Sequence, residues 1–110
     1  MASLFVIEVT MVYDAIIIGG GASGFACAYA ALQSAKKVLI LEKNESPLRK
    51  VAVSGGGRCN FTNLSISSKN YINGSFCDKA INKFSNKDFV ALMKKNKLHY
   101  VEKNGTQLFC

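Results

Sequence analysis

The sequence predicts an α/β fold that opens on a parallel β-α-β unit and continues through a glycine-rich loop, a helix and a β-hairpin. Three observations carry that expectation. Val12 to Ile18 is an apolar run broken only by Asp14, as suits a strand buried on both faces of a parallel sheet. It leads directly into Gly19-Gly20-Gly21-Ala22-Ser23-Gly24, with G-x-G-x-x-G spacing at Gly19, Gly21 and Gly24. A second apolar run, Val38 to Leu41, ends on Glu42, eighteen positions after Gly24. Strand, glycine turn, small-residue helix, second strand and terminal acid stand in the order of a Rossmann-like dinucleotide-binding unit.

Each part of that unit has its own physical task. Gly19 permits a tight exit from the strand. Gly21 lacks a Cβ, so a pyrophosphate can approach the backbone, and Gly24 lets the helix pack closely on the sheet. The helix start at Ala22 presents unpaired N–H groups and a partial positive charge to phosphates. Glu42 is placed to accept the hydroxyls of an adenosine ribose.

The crossover helix is expected over Ala22 to Ser34, with Ala22, Ala26, Cys27, Ala28, Ala30 and Ala31 small enough for close contact with the sheet and Cys27 turned inward. Ser34-Ala35 must turn the chain without a glycine, and Lys36-Lys37 closes the crossover. Ser46-Pro47 breaks the chain after the second strand, and Leu48 to Ser68 reads as irregular. Ser85 with Asp88 three residues on has the spacing of a capping box. Phe89, Leu92 and Met93 then give one apolar helical face, and Lys94, Lys95 and Lys97 sit where the helix C-terminus favours cations. Two short strands, Leu98 to Val101 and Thr106 to Phe109, flank the hairpin signal Asn104-Gly105. His99 falls in the first of them and is assigned no chemistry.

Composition narrows the class. The chain has 110 residues and a net charge of +7; it is long enough for one small domain and too short for a complete two-domain oxidoreductase. No apolar stretch reaches the length of a membrane span. Leu4-Phe5-Val6-Ile7 has no basic residue before it, which argues against a secretory signal, and residues 1–11 read as an N-terminal extension. Cys27, Cys59, Cys77 and Cys110 form neither a metal framework nor a disulfide scaffold, so a reducing, cytoplasmic compartment is expected. Residues 55–110 carry nine basic and three acidic side chains. Lysines interleaved with asparagines and single apolar residues suit a solvated face better than a nucleic-acid surface.

The second chemical motif is Ser54-Gly55-Gly56-Gly57-Arg58-Cys59-Asn60, preceded by Lys50. Three successive glycines free the backbone to take positive φ, so that consecutive N–H groups can converge on an anion. Arg58 adds a planar fork for phosphate or carboxylate, and Ser54 and Asn60 add neutral hydrogen-bonding groups. Composition alone leaves a flexible loop and a ligand cradle equally open. The loop follows the acid in sequence and could return across the same ligand. Cys59 has no resolving cysteine or activating base at motif spacing, so a structural or cofactor-adjacent role is favoured over catalysis.

The strings Asp14 to Gly24, Leu41-Glu42-Lys43, Lys50 and Ser54 to Asn63 together resemble a bacterial family of NAD(P)/FAD-dependent oxidoreductases, the aminoacetone oxidase-like flavoproteins, one branch of which reduces dehydro bile acids. The resemblance runs from about Val12 to the end of the chain. It implies FAD as cofactor, with Gly19, Gly21, Ser23 and Gly24 at the pyrophosphate, Glu42 at the adenosine ribose, and Ala22 and Lys43 also among the cofactor-binding residues. Lys50 and Ser54, Gly55, Gly56, Gly57, Arg58, Cys59 and Asn60 would lie along the flavin side. It further implies NAD(P)H as electron donor, hydride transfer to a small organic substrate, and a longer parent protein. Residues 12–110 would then be a partial FAD-binding domain that stops before the substrate domain and does not turn over alone. The alternatives are a nucleotide-binding module without its own turnover and an FAD-dependent RNA-modifying enzyme. The S-G-G-G-R-C-N string weighs against the latter.

Overall fold

The computed structural model describes residues 11–34 and 37–110. The expected N-terminal extension up to residue 10, the glycine-free turn at Ala35 and the crossover residue Lys36 lie outside the described residues. The chain divides into two compact units, one ending at Arg49 and the other running Lys50–Cys110.

In the first unit, β1 (Ala15–Ile18) pairs in parallel with β2 (Val38–Leu41), and α1 (Ala22–Leu32) crosses between them. The register sets Ala15 opposite Val38 and Ile18 opposite Leu41. Asp14 starts the pairing: its N–H donates to the Lys37 carbonyl (2.9 Å), and its carboxylate accepts the Lys37 N–H (2.7 Å). β1 is therefore shorter than the apolar run suggests. It is also covered on one face only. Ala15 and Ile17 are half-buried, whereas Ile16 is 58% and Ile18 88% exposed, because α1 lies on one side. The helix meets the strands through Gly24 and Ala28, both buried. That face leaves Cys27 exposed, contrary to the inward position expected from its size.

The second unit begins with α2 (Arg49–Gly57), whose first residue closes the first unit. Ser54 breaks α2 with extended ψ, and Gly55 and Gly56 follow in left-handed conformation. β3 (Asn60–Asn63), β4 (Val101–Lys103) and β5 (Gln107–Phe109) form an antiparallel sheet in the order β3-β5-β4. The region 48–68, expected to be irregular, thus contains a helical turn and an edge strand of this sheet. A short 3₁₀ turn, Ser68–Asn70, precedes α3 (Gly74–Lys83), which the sequence reading did not anticipate.

The helix expected after Ser85 is α4 (Asn86–Lys95), and its capping box is complete: the Ser85 N–H donates to Asp88 (2.8 Å) and the Asp88 N–H to the Ser85 hydroxyl (3.2 Å). Asn86 fixes α4 to the end of β3 by donating to the carbonyls of Asn63 (2.8 Å) and Leu64 (3.0 Å). Behind α4, Phe61 packs edge-on against Phe89 (5.3 Å between centroids) and Tyr100 (5.8 Å), and Met93, Leu108 and Phe109 are buried. The hairpin turns at Asn104-Gly105, both at positive φ (53° and 74°). Its first strand starts later than expected, so His99 lies exposed in the connector ahead of β4.

Ser85→Ala is expected to lower stability by about 1 kcal/mol, the usual worth of an N-cap hydroxyl, read as a lower melting temperature. The Ser85 hydroxyl and N–H hold the Asp88 carboxyl below its ordinary value of 3.8. The stabilisation from that pair is therefore complete above pH 4 and lost only as pH falls through the lowered value.

Candidate dinucleotide site

The turn between β1 and α1 is built as close packing requires. Gly19 has φ +102°, a conformation open to glycine. A Cβ on Gly24 would collide with the Gly19 carbonyl oxygen, so the helix reaches the strand end only because Gly24 has none. Gly21 differs. It is the N-cap of α1, with extended backbone (φ −88°, ψ −174°), and a Cβ there would meet nothing within 4 Å. Open space thus lies in front of a helix start that has no acidic residue in its first turn and no side-chain cap. The N–H groups of Ala22, Ser23 and Gly24 belong to that first turn, where α-helical donors have no partner within the helix. This arrangement fits an anionic diphosphate.

Glu42, at the end of β2, is already engaged. Its Oε2 accepts the Gly20 N–H (2.7 Å), while Oε1 accepts the Asn44 N–H (2.9 Å) and the Asn44 side-chain amide. These donors, the Asn44 N–H first and then Gly20, hold its carboxyl below the ordinary 4.5. The carboxylate therefore ties the glycine turn to the end of β2 as well as carrying charge. A carboxylate offers about four lone-pair sites, and three are used, so one ribose hydroxyl can be accepted without breaking an internal bond. A second would have to displace Asn44. Beside it, Lys43, Asn44, Glu45, Ser46 and Arg49 line a depression of about 410 Å³, and Arg49 donates to the Asn44 amide oxygen (3.2 Å). The chain returns to the turn through Leu48, whose N–H donates to the Gly20 carbonyl (2.8 Å).

In the second unit, Gly55, Gly56 and Gly57 all take positive φ (57°, 67° and 81°), followed by Cys59 at 47°. The turn is closed by the Cys59 N–H on the Ser54 carbonyl (3.0 Å) and by the Ser54 hydroxyl on the Val51 carbonyl (2.8 Å). Arg58 is exposed and its guanidinium lies 5.5 Å from the centroid of the Phe109 ring, a cation–π contact. Asn60, with its amide nitrogen facing the sheet, donates to the carbonyls of Thr62 (3.2 Å) and Leu108 (3.0 Å). Lys50 is exposed.

Within the first unit the fold thus gathers Gly19, Gly21, Ala22, Ser23, Gly24 and Glu42 around one turn, with Lys43 beside it. Within the second it gathers Ser54 to Asn60 against β5. Sequence reasoning missed three participants: Asn44, which holds Glu42; Phe109, which supports Arg58; and Cys110, whose N–H donates to the Cys59 carbonyl (3.1 Å). The E-x-N order of Glu42, Lys43 and Asn44 is itself a turn signal, because asparagine favours turns. The others depend on strand pairing across some fifty residues.

Residues 13–110 match the HI0933-like protein Rossmann domain. Over 100 residues the chain is 44% identical to the ribosomal RNA dihydrouridine synthase of Escherichia coli (strain K12), an overlap covering 89% of this chain and 25% of that protein. The ribosomal RNA dihydrouridine synthase of Haemophilus influenzae is 39% identical over 97 residues, covering 86% and 24%. The 3-dehydro-bile acid delta(4,6)-reductase of Clostridium scindens is 46% identical over 57 residues, covering 50% and 14%. The chain spans about a quarter of the length of the two dihydrouridine synthases. Two of these relatives are named for chemistry on RNA, the class that the sequence reading ranked below a small-molecule oxidoreductase. With its strand, glycine turn and helix in place and the match running over nearly all of its described length, the chain belongs to the HI0933-like Rossmann-domain family.

Proposed function

We propose that this chain is the FAD-binding segment of a flavin-dependent reductase acting on ribosomal RNA, with NAD(P)H as donor. The observation that carries the cofactor reading is the turn itself: Gly24 packed against the Gly19 carbonyl, and open space at Gly21 before the helix start. In this reading the N–H groups of Ala22 to Gly24 bind the pyrophosphate, and Glu42 accepts a ribose hydroxyl. Bound FAD would supply the hydride chemistry, and the protein would orient it. For Lys50 and the Ser54 to Asn60 turn, the family resemblance implies a cofactor-binding role. RNA as substrate draws support from the dihydrouridine synthases and from charge. The unit Lys50–Cys110 holds ten basic and three acidic residues, the whole net charge of +7, and cations supply most non-specific affinity for nucleic acid. A small enone-like substrate is the second reading, favoured by the likeness to the bile acid reductase over 57 residues.

Purified from its complete reading frame, the protein is expected to be yellow, with flavin absorbance that survives desalting, and to oxidise NAD(P)H when given ribosomal RNA lacking dihydrouridine. A colourless protein that takes up NAD but no FAD would overturn the cofactor assignment. Turnover with enones and none with RNA would select the second reading. Glu42→Gln is expected to weaken FAD binding about ten- to a hundredfold, the cost of losing a charge-assisted acceptor. Because the Glu42 carboxyl is held below its ordinary 4.5, binding by the unchanged protein should be flat from neutral pH to about 4.5 and fall only below it.

A further inference from the structure

Cys59 and Cys110 are far apart in sequence and adjacent in the fold. Asn60 pairs with Phe109 at the end of the antiparallel ladder between β3 and β5, so Cys59 and Cys110 are the residues next to that last pair. The Cys110 N–H donates to the Cys59 carbonyl (3.1 Å), while the Cys59 N–H turns back to Ser54, so one backbone hydrogen bond joins the two residues. That bond holds the two backbones near the spacing of neighbouring strands, about 4.8 Å, which suits the Cα separation of about 4.4–6.8 Å that a disulfide spans. Burial first, and then the neighbouring Cys59 thiol, hold the Cys110 thiol above its ordinary value of 9.0. Both cysteines are free, Cys59 half-buried and Cys110 exposed, so a small oxidant can reach the pair. Position gives the pair its consequence. Cys59 ends the left-handed glycine turn and closes it through its N–H on Ser54.

We propose that Cys59 and Cys110 form a reversible disulfide that clamps the Ser54 to Cys59 turn to the end of β5. The oxidant is a low-molecular-weight disulfide of the glutathione class. The Cys59 thiolate attacks one of its sulfurs, forming a mixed disulfide and releasing one small thiolate. The Cys110 sulfur, having lost its proton, then attacks Cys59 Sγ, forming the intramolecular S–S bond and releasing the second. Two protein thiols are oxidised, one small disulfide is reduced to two thiols, and the two protons pass from protein to the released thiolates.

The test is to expose the full chain to glutathione disulfide, in native buffer and in urea, and to map the bridges by peptide mass spectrometry. In native buffer the free-thiol count is expected to fall from four to two, with Cys59–Cys110 as the dominant bridge; in urea that selectivity should vanish. Cys27→Ser and Cys77→Ser should keep the bridge, and Cys59→Ser and Cys110→Ser should each abolish it. Trypsin should cut after Arg58 more slowly in the oxidised chain, and reduction by dithiothreitol should restore the rate. A statistical mixture of bridges in native buffer, or the same mixture with and without urea, would overturn the pairing. An unchanged rate of cleavage after Arg58 would overturn the clamp.

Discussion

Gly21→Val is expected to abolish FAD binding with only a modest fall in melting temperature, whereas Gly24→Ala is expected to lose binding with a larger fall. The two glycines sit three residues apart in one motif, and their surroundings are opposite. Gly21 has extended backbone that valine adopts readily, and its Cβ position is open. Folding should lose only the N-cap preference for glycine, about 1 kcal/mol, while the valine fills the space before the helix start that a pyrophosphate needs. At Gly24 the added methyl meets the Gly19 carbonyl, so α1 must move off the end of β1. Overpacking of this kind costs about 1–3 kcal/mol, a large share of the stability of a small domain. It also displaces the donors of the first helical turn. Thermal melts and fluorescence titration with FAD separate the two effects. Unimpaired FAD binding by the Gly21 variant would remove the phosphate from this turn, and a native melt for Gly24→Ala would remove the packing argument.

The second large effect concerns the face of the first sheet that α1 leaves uncovered. Ile16 and Ile18, two residues apart on β1, share that face at 58% and 88% exposure, and Val12 just before the strand is 80% exposed. A two-stranded parallel unit also has unpaired edges. The 110-residue chain on its own is therefore expected to self-associate and to show no NAD(P)H oxidation with added FAD. Replacing Ile16 and Ile18 by Thr keeps the β-branched shape that suits a strand and removes the apolar patch, so the double variant should scatter light far less at equal concentration. A monodisperse, cooperatively melting chain with flavin-dependent turnover would show instead that the segment is self-sufficient.

The first unit could be read from the sequence because its signals are local. The apolar runs, the glycine spacing and the terminal acid each constrain the backbone within a few residues, and β2 has the expected bounds. The same holds for α4, where Ser85 and Asp88 cap the helix they announce. The failures have a common cause. β3 is a strand because β5 pairs with it more than forty residues later, and nothing in Asn60-Phe61-Thr62-Asn63 alone demands that. α3 starts at Gly74, a weak helix former, and its periodic residues Cys77 and Ile81, both half-buried, are spaced by polar and small neighbours that blur the pattern. At Cys27 small size does not fix orientation; the face through Gly24 and Ala28 decides it. At the candidate site, the fingerprint residues were visible in the sequence. The internal partners of Glu42 and the neighbour of Cys59 were not.

The left-handed glycine run has a bearing on how variation in this segment should be interpreted. A Cβ on Gly55 would stand 2.7 Å from the Phe109 ring and 2.9 Å from the Asn60 nitrogen, so the fold demands glycine there with or without a ligand. Gly56 and Gly57 are open on the Cβ side, and only their positive φ restricts them. Asparagine tolerates that conformation at modest cost. Among natural variants, invariance at Gly55 would therefore report the packing of this sheet. Glycine retained against asparagine at Gly56 and Gly57 would instead report a body pressing on the turn from outside.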